Sequence, residues 1–203
     1  MGLKSLIILG VSLIILLFVG VNVSNFLYKT FYGKDIENIT IYMDEDSIKE
    51  IHLKIGEPVE SSKIKMSVKE IYRTQKVKGN MGYRKIKDNE TFIIVKVRVD
   101  NLREDSSYYI SNMDFFLVDE NGKKYDCEMN VLDVKDVLTI TTIPPRRYVE
   151  GYIIYKVPKD IKTVKITYNF RNIQNIFDSY KAVWEINMSD IPYIEEFPQN
   201  TRN

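Results

Sequence analysis

The chain opens on a stretch where polar and apolar positions do not alternate at all. Between Lys4 and Lys29 there is no charged residue, and residues 6–23 are apolar except for Gly10, Ser12, Gly20 and Asn22. As a helix, residues 5–28 would be about 36 Å long, enough for a hydrocarbon core of about 30 Å. A helix buried in a protein core usually keeps a polar stripe, and this one has none. Residues 1–28 are therefore predicted to be a short cytoplasmic stub and a transmembrane helix. Lys4 gives the charged start of a secretory signal. The apolar run is longer than a signal needs, however, and no A-x-A-like cleavage site follows, so the helix is expected to stay as a signal anchor. Met1-Gly2 is not followed by Ser or Thr at position 6, so the myristoylation pattern fails. Lys4 on one side and Lys29 and Lys34 on the other leave the positive-inside rule undecided. A short tail before a long domain puts the tail in the cytoplasm and the domain outside it.

Beyond residue 28 the period changes to two. Residues 29–47 read as a linker or a first strand, in which Ile39, Ile41 and Met43 alternate before the acidic turn Asp44-Glu45-Asp46. Ile51, Leu53 and Ile55 then alternate with Glu50, His52 and Lys54, until Gly56 and Pro58 break the run. Ile64, Met66 and Val68 share one face, and so do Ile93, Val95, Val97 and Val99. Residues 115–118 are apolar on both faces, the pattern of a central strand. Asn121-Gly122 follows, and that dipeptide between two strand-like runs predicts a hairpin with a type I′ turn. Further strands are predicted over 137–143, 149–157, 164–170 and 182–188. Helical spacing is weak and confined to 131–137 and 173–180. About seven to nine short strands separated by turn residues spell an all-β chain folded as an antiparallel β-sandwich. Residues 48–188 form this domain and 189–203 a C-terminal tail. The expected core includes Val95, Val97, Phe115, Leu117, Ile153, Ile166 and Trp184.

Composition narrows the function. The 203 residues hold 29 basic and 28 acidic side chains, a net charge of +1, which is no match for the basic surplus of a nucleic-acid coat. One Cys makes no internal disulfide, and one Cys with one His makes no ordinary Cys/His zinc site. The single His, His52, falls on the polar face of its strand without a partner suited to general-base work. Cys127 lies on a return strand with nothing to lower its pKa and reads as a buried, inert thiol. Asp44/Glu45/Asp46, Asp119/Glu120 and Asp133/Asp136 offer oxygen ligands but lack the spacing of a calcium loop, so they read as turn acids. Gly-rich phosphate loops and serine-elbow motifs are absent. The chain is thus expected to be no enzyme and to need no metal or cofactor. N-x-[ST] sequons start at Asn22, Asn38, Asn89 and Asn187, about what the Asn content gives by chance.

The run Lys54-Ile55-Gly56-Glu57-Pro58-Val59-Glu60 with Ile64-Lys65-Met66-Ser67-Val68 resembles the opening of the family known as domain of unknown function 4352. The segments 92–101 and 116–125 and the block Gly151-Tyr152-Ile153-Ile154-Tyr155-Lys156-Val157-Pro158-Lys159 resemble it too. The likeness spans roughly residues 52–170, on core and turn residues. It implies an extracytoplasmic, immunoglobulin-like sandwich similar to lipoproteins and to a secreted mycobacterial antigen. The antibody Cys…Trp…Cys pattern is missing, so the likeness is architectural. The chain departs from the family twice. It lacks the lipid-attachment Cys, so the helix must be the anchor. It also has Pro145-Arg146-Arg147 where the family usually has Pro-Gly.

The most unusual loop residues are Tyr108, Tyr109, Arg146 and Arg147. Neighbouring residues on a strand face opposite ways, and Tyr and Arg are the side chains most enriched in binding hot spots. These observations point to a single-pass cell-membrane protein whose outer domain binds an envelope protein or a cell-surface polymer through these four residues. The alternative is an envelope enzyme or carbohydrate-binding sandwich using surface carboxylates and aromatics.

Overall fold

The computed structural model describes residues 49–170 and 179–198. The predicted membrane helix over 1–28, the linker over 29–47 and most of the weakly helical run 173–180 lie outside the described residues. Among the described residues, no helix is long and apolar enough to cross a membrane.

In chain order the strands are β1 (Lys49–Leu53), β2 (Pro58–Ser61), β3 (Ile64–Thr74), β4 (Lys78–Gly79), β5 (Gly82–Tyr83), β6 (Glu90–Asn101), β7 (Tyr108–Ile110), β8 (Phe115–Asp119), β9 (Lys124–Tyr125), β10 (Thr141–Ile143), β11 (Arg147–Pro158), β12 (Thr163–Phe170) and β13 (Tyr180–Asn187). One sheet runs β1-β13-β12-β8-β9 and the other β11-β6-β3-β2, with β4-β5 and β7-β10 as separate two-stranded ribbons. The two large sheets share one core. Val95, Val97 and Ile153 from one sheet and Phe115, Leu117, Ile166 and Trp184 from the other are all buried in it. The period-two reading of these strands is therefore in the correct register. Trp184 also ties the sheets together, because its indole N–H donates to the Glu57 carbonyl at 3.0 Å. The Gly56 turn, at φ +93°, carries the chain from β1 in one sheet to β2 in the other.

Three local expectations are corrected. The sandwich is not purely antiparallel, since β1 runs parallel to β13. These strands are joined through the whole domain rather than by a hairpin, so no turn imposes antiparallel pairing. Second, Asn121-Gly122 does not form a type I′ turn, for only Gly122 has a positive φ, +80°. The Asp119 carboxylate accepts from the Asn121 and Lys123 N–H groups at 2.9 and 3.0 Å. It thereby selects a longer turn closed by Gly122 N–H to the Asp119 carbonyl. Two consecutive positive φ angles, +50° and +62°, occur instead at Ser62 and Lys63, between β2 and β3. Third, the strand expected over 137–143 shrinks to β10. Asp136 at φ +59° bends the chain, and Val137 keeps only a lone bridge to Tyr152.

The domain also extends past residue 188, where a tail was expected. Backbone hydrogen bonds link Arg73 to Pro192 and Ile194, and Lys76 and Lys78 to Phe197. A second apolar cluster results, in which Phe197 packs with Val77, Phe92, Ile94, Val131, Val134 and Ile154 on the outer side of the four-stranded sheet.

Candidate functional site

β6 ends at Asn101, which pairs with Ile64 at the start of β3 and with Arg147 at the start of β11. Three connections therefore meet at one end of this sheet: the Ser62-Lys63 turn, the loop 102–107 and the turn 144–147. The Asn101 side chain is fully buried, and its amide N–H groups reach the carbonyls of Ser106, Ile143 and Pro144 at 2.9, 3.0 and 3.2 Å. Its own carbonyl accepts from the Arg103 N–H at 3.2 Å. One amide thus satisfies backbone groups from two loops that would otherwise be orphaned. The Arg103 guanidinium donates to the Ser62 carbonyl at 3.2 Å and brings in the third connection. Sequence reasoning missed Asn101, Arg103 and Ser62. A polar residue ending a β-run looks like any strand terminus until its neighbours in space are known.

Alternation along β7 separates the two tyrosines. Tyr108 turns inward, and its hydroxyl meets the Tyr168 hydroxyl at 2.6 Å while Arg103 lies 5.4 Å from its ring centre. Burial pushes the Tyr108 hydroxyl pKa up. Tyr109 turns outward and is 57% exposed, opposite Thr142 on β10. Arg146 is exposed at φ +57°. Its guanidinium pairs with Glu104 at 2.9 Å and its N–H donates to the Arg103 carbonyl at 3.2 Å. Arg147 is also exposed, and its N–H donates to the Pro144 carbonyl. The fold thus gathers Arg146, Arg147 and the loop of Arg103 and Glu104, while Tyr108 acts as a support and Tyr109 as an outward group. Among the described residues, non-glycine residues with left-handed φ are Ser62, Lys63, Asp136 and Arg146, so three of the four lie at this end.

The outer face of the same sheet is a second polar surface. The register shift between Val68 and Glu70 is a bulge in β3. It reverses the alternation there, so that Ile71 stays inside while Glu70 and Tyr72 face outward. Lys96 pairs with Glu70 at 3.4 Å, and Arg98 pairs with Asp100 and Glu150 at 2.6 and 3.2 Å. The Arg98 guanidinium covers the Tyr148 ring at 3.8 Å. The hydrogen bond to Glu70, helped by burial, raises the Tyr72 pKa to about 12. Beside this lattice lies a cavity of about 270 Å³ whose lining includes Glu70, Tyr72, Asp136, Tyr152 and Phe197.

The other chemical candidates sit as follows. His52 is exposed and lies 3.4 Å from Glu50. Asp119 caps its hairpin, and Asp133 pairs with Arg84 and accepts from the Met81 N–H. Cys127 is buried, and burial pushes its thiol pKa up. Among the described residues, no group of three or more His, Cys, Asp or Glu side chains is placed to hold a metal ion. Asp44, Glu45, Asp46, Asn22 and Asn38 lie outside the described residues.

The profile of the family described as "Domain of unknown function (DUF4352)" matches residues 53–182, well over half of the chain. No curated protein matches the sequence significantly. Among solved structures, the chain is similar to a candidate lipoprotein, ycdA, from Bacillus subtilis subsp. subtilis str. 168, at 17% identity and a TM-score of 0.50. That match covers 68% of this chain and 40% of ycdA. The yjhA protein from Bacillus subtilis is similar at 24% identity and a TM-score of 0.50, over 65% of this chain and 98% of yjhA. The secreted protein MPT63 from Mycobacterium tuberculosis matches at 14% identity and a TM-score of 0.42, over 68% of this chain and 98% of MPT63. For ycdA and yjhA, at these identities, the likeness is one of fold.

Proposed function

The chain belongs to the family described as Domain of unknown function (DUF4352), and from that premise we propose that it is a non-catalytic binding module of the cell envelope. In this reading residues 1–28 anchor it as a single-pass membrane protein. The immunoglobulin-like domain stands outside the cytoplasm and meets an envelope protein or cell-surface polymer with its loop end. The carrying observation is the exposed Arg146 in left-handed backbone, beside loops locked by the buried Asn101 amide. Left-handed φ at non-glycine residues is costly and tends to persist where function holds it. Loops fixed before binding lose little freedom on binding. The exposed groups presented there, Lys63, Arg146, Arg147 and Tyr109, suit a partner surface that carries acidic groups and offers an apolar contact for one aromatic ring.

The test is recovery of an envelope partner by the full-length chain. Tyr109→Ala and Arg146→Ala should each weaken recovery by about 2 kcal/mol, the size of a hot-spot loss, with the melting temperature nearly unchanged. Normal recovery by both variants would remove the loop end from the account. The alternative, a carbohydrate-binding or hydrolytic surface, would use the cavity at Glu70, Tyr72, Asp136 and Tyr152. In the same assay Tyr152→Ala separates the two, because it should leave partner recovery intact if the loop end is the site.

A further inference from the structure

Three sulfur-bearing residues line a separate cavity of about 290 Å³. Met113, Cys127 and Met129 line it, with Phe115 and Asp126. Packing does not account for the two methionines, which are 50% and 45% exposed. Met113 belongs to a 3-10 turn (Asn112–Asp114) held by a Ser111 capping box, and Met129 opens a second 3-10 turn (Met129–Val131). Cys127 lies between them, fixed by a bridge to Tyr155. Its thiol donates to the Met129 thioether at 4.0 Å. Two sulfurs that each sit about 2.3 Å from one metal ion, with ~120° between the bonds, are about 4 Å apart. The spacing already present is therefore that of two ligands on one trigonal centre.

The surroundings of the thiol are built as well. The buried Asn112 side chain donates from Nδ2 to the Cys127 sulfur at 3.3 Å, and its carbonyl oxygen accepts from the Ser111 hydroxyl at 3.3 Å. The second bond fixes the amide so that its N–H faces the sulfur, the outer contact that orients and stabilises a metal thiolate. Tyr155, the bridge partner of Cys127, has a fully buried hydroxyl with no hydrogen-bond partner.

We propose that Met113, Cys127 and Met129 form a binding site for Cu(I). One thiolate and two thioethers are soft donors, the set that suits Cu(I) and not calcium or magnesium. Binding exchanges a proton for the metal. Cu(I) bonds to the Cys127 sulfur and the two thioether sulfurs, the S–H proton leaves to solvent, and no electron is transferred. Affinity therefore rises with pH. The site has no signature along the chain, because the methionines lie on either side of Cys127 in different turns. The inference is independent of the loop-end reading.

The experiment is a competition for Cu(I) between the full-length chain, in mild detergent without oxygen, and the chromophoric chelator bicinchoninate. The wild-type chain should withdraw one copper per molecule, and Cys127→Ser should withdraw none. Met113→Leu and Met129→Leu should each weaken binding by about tenfold or more, since even outer-shell changes can cost a metal site that much. Met81→Leu, at an exposed methionine outside the cavity, should have no effect. Melting temperatures of the apo variants should match that of the wild type. The proposal is overturned if the wild-type chain leaves copper with the chelator, if Cys127→Ser still withdraws it, or if both leucine variants bind as the wild type does.

Discussion

Arg146 holds a backbone conformation that suits glycine, with φ at +57° and its guanidinium spread over solvent toward Glu104. For an L-residue this conformation costs about 1–2 kcal/mol. The exposed ion pair with Glu104 returns little of it, since such pairs are worth roughly 0–1 kcal/mol. Arg146→Gly should therefore leave the fold as stable, or stabilise it by about 0.5–1 kcal/mol, while it weakens partner binding. Urea denaturation of the variant measures the first part. A clear loss of stability would mean that the arginine serves the fold and not a contact. The family resemblance pointed to this residue, because Pro145-Arg146 stands where the family usually has Pro-Gly. The sequence itself announced that Tyr108 and Tyr109 face opposite ways, though not which one faces in. That choice depends on Tyr168, which comes from β12 in the five-stranded sheet, far away in the sequence. Asn101 gave no signal, because its role is defined by carbonyls of residues 106, 143 and 144.

At the scale of elements, the β8–β9 hairpin depends on one carboxylate. Burial opposes ionisation of Asp119. The Lys123 N–H, the Tyr125 hydroxyl and the Asn121 N–H outweigh it and hold the pKa below the ordinary 3.8. A depressed carboxylate pKa stabilises the fold above its unfolded value, and that stability is lost as pH falls through the lower folded value. Acid should thus weaken the wild-type domain below about pH 4 more than it weakens Asp119→Asn. At neutral pH the variant should be less stable by about 1 kcal/mol, the excess of a charged hydrogen bond over a neutral one. Denaturation curves at several pH values measure both. Equal acid sensitivity in the two proteins would contradict the assignment. The Asn121-Gly122 signal correctly placed a hairpin and misjudged its geometry. Dipeptide preference ignores a side chain two residues upstream that competes for the same N–H groups. The bulge near Lys69 was equally hidden, although it decides that Glu70 and Tyr72 join the outer polar face.

For the whole molecule, alternation was enough to find two sheets and the core they share, because each buried face repeats every second residue. It could not find the second apolar cluster. Phe197, Val77 and Val131 are isolated in irregular segments, and their common environment exists only when residues 191–198 return along β3. Phe197 is 4% exposed, so Phe197→Ala should cost about 3–5 kcal/mol, readable as a lower urea midpoint. An unchanged midpoint would make these residues the mere tail that alternation suggested. A surface made of three separate connections is likewise beyond any one-dimensional pattern. Its most direct test is a photo-crosslinking amino acid placed at position 109 of the full-length chain in intact cells, with position 185 on the exposed face of β13 as control. The account predicts a discrete crosslinked partner at 109 that is absent at 185 and is lost on adding Arg146→Ala. Crosslinks at 109 no stronger than at 185, or unaffected by Arg146→Ala, would contradict the loop end as the binding surface.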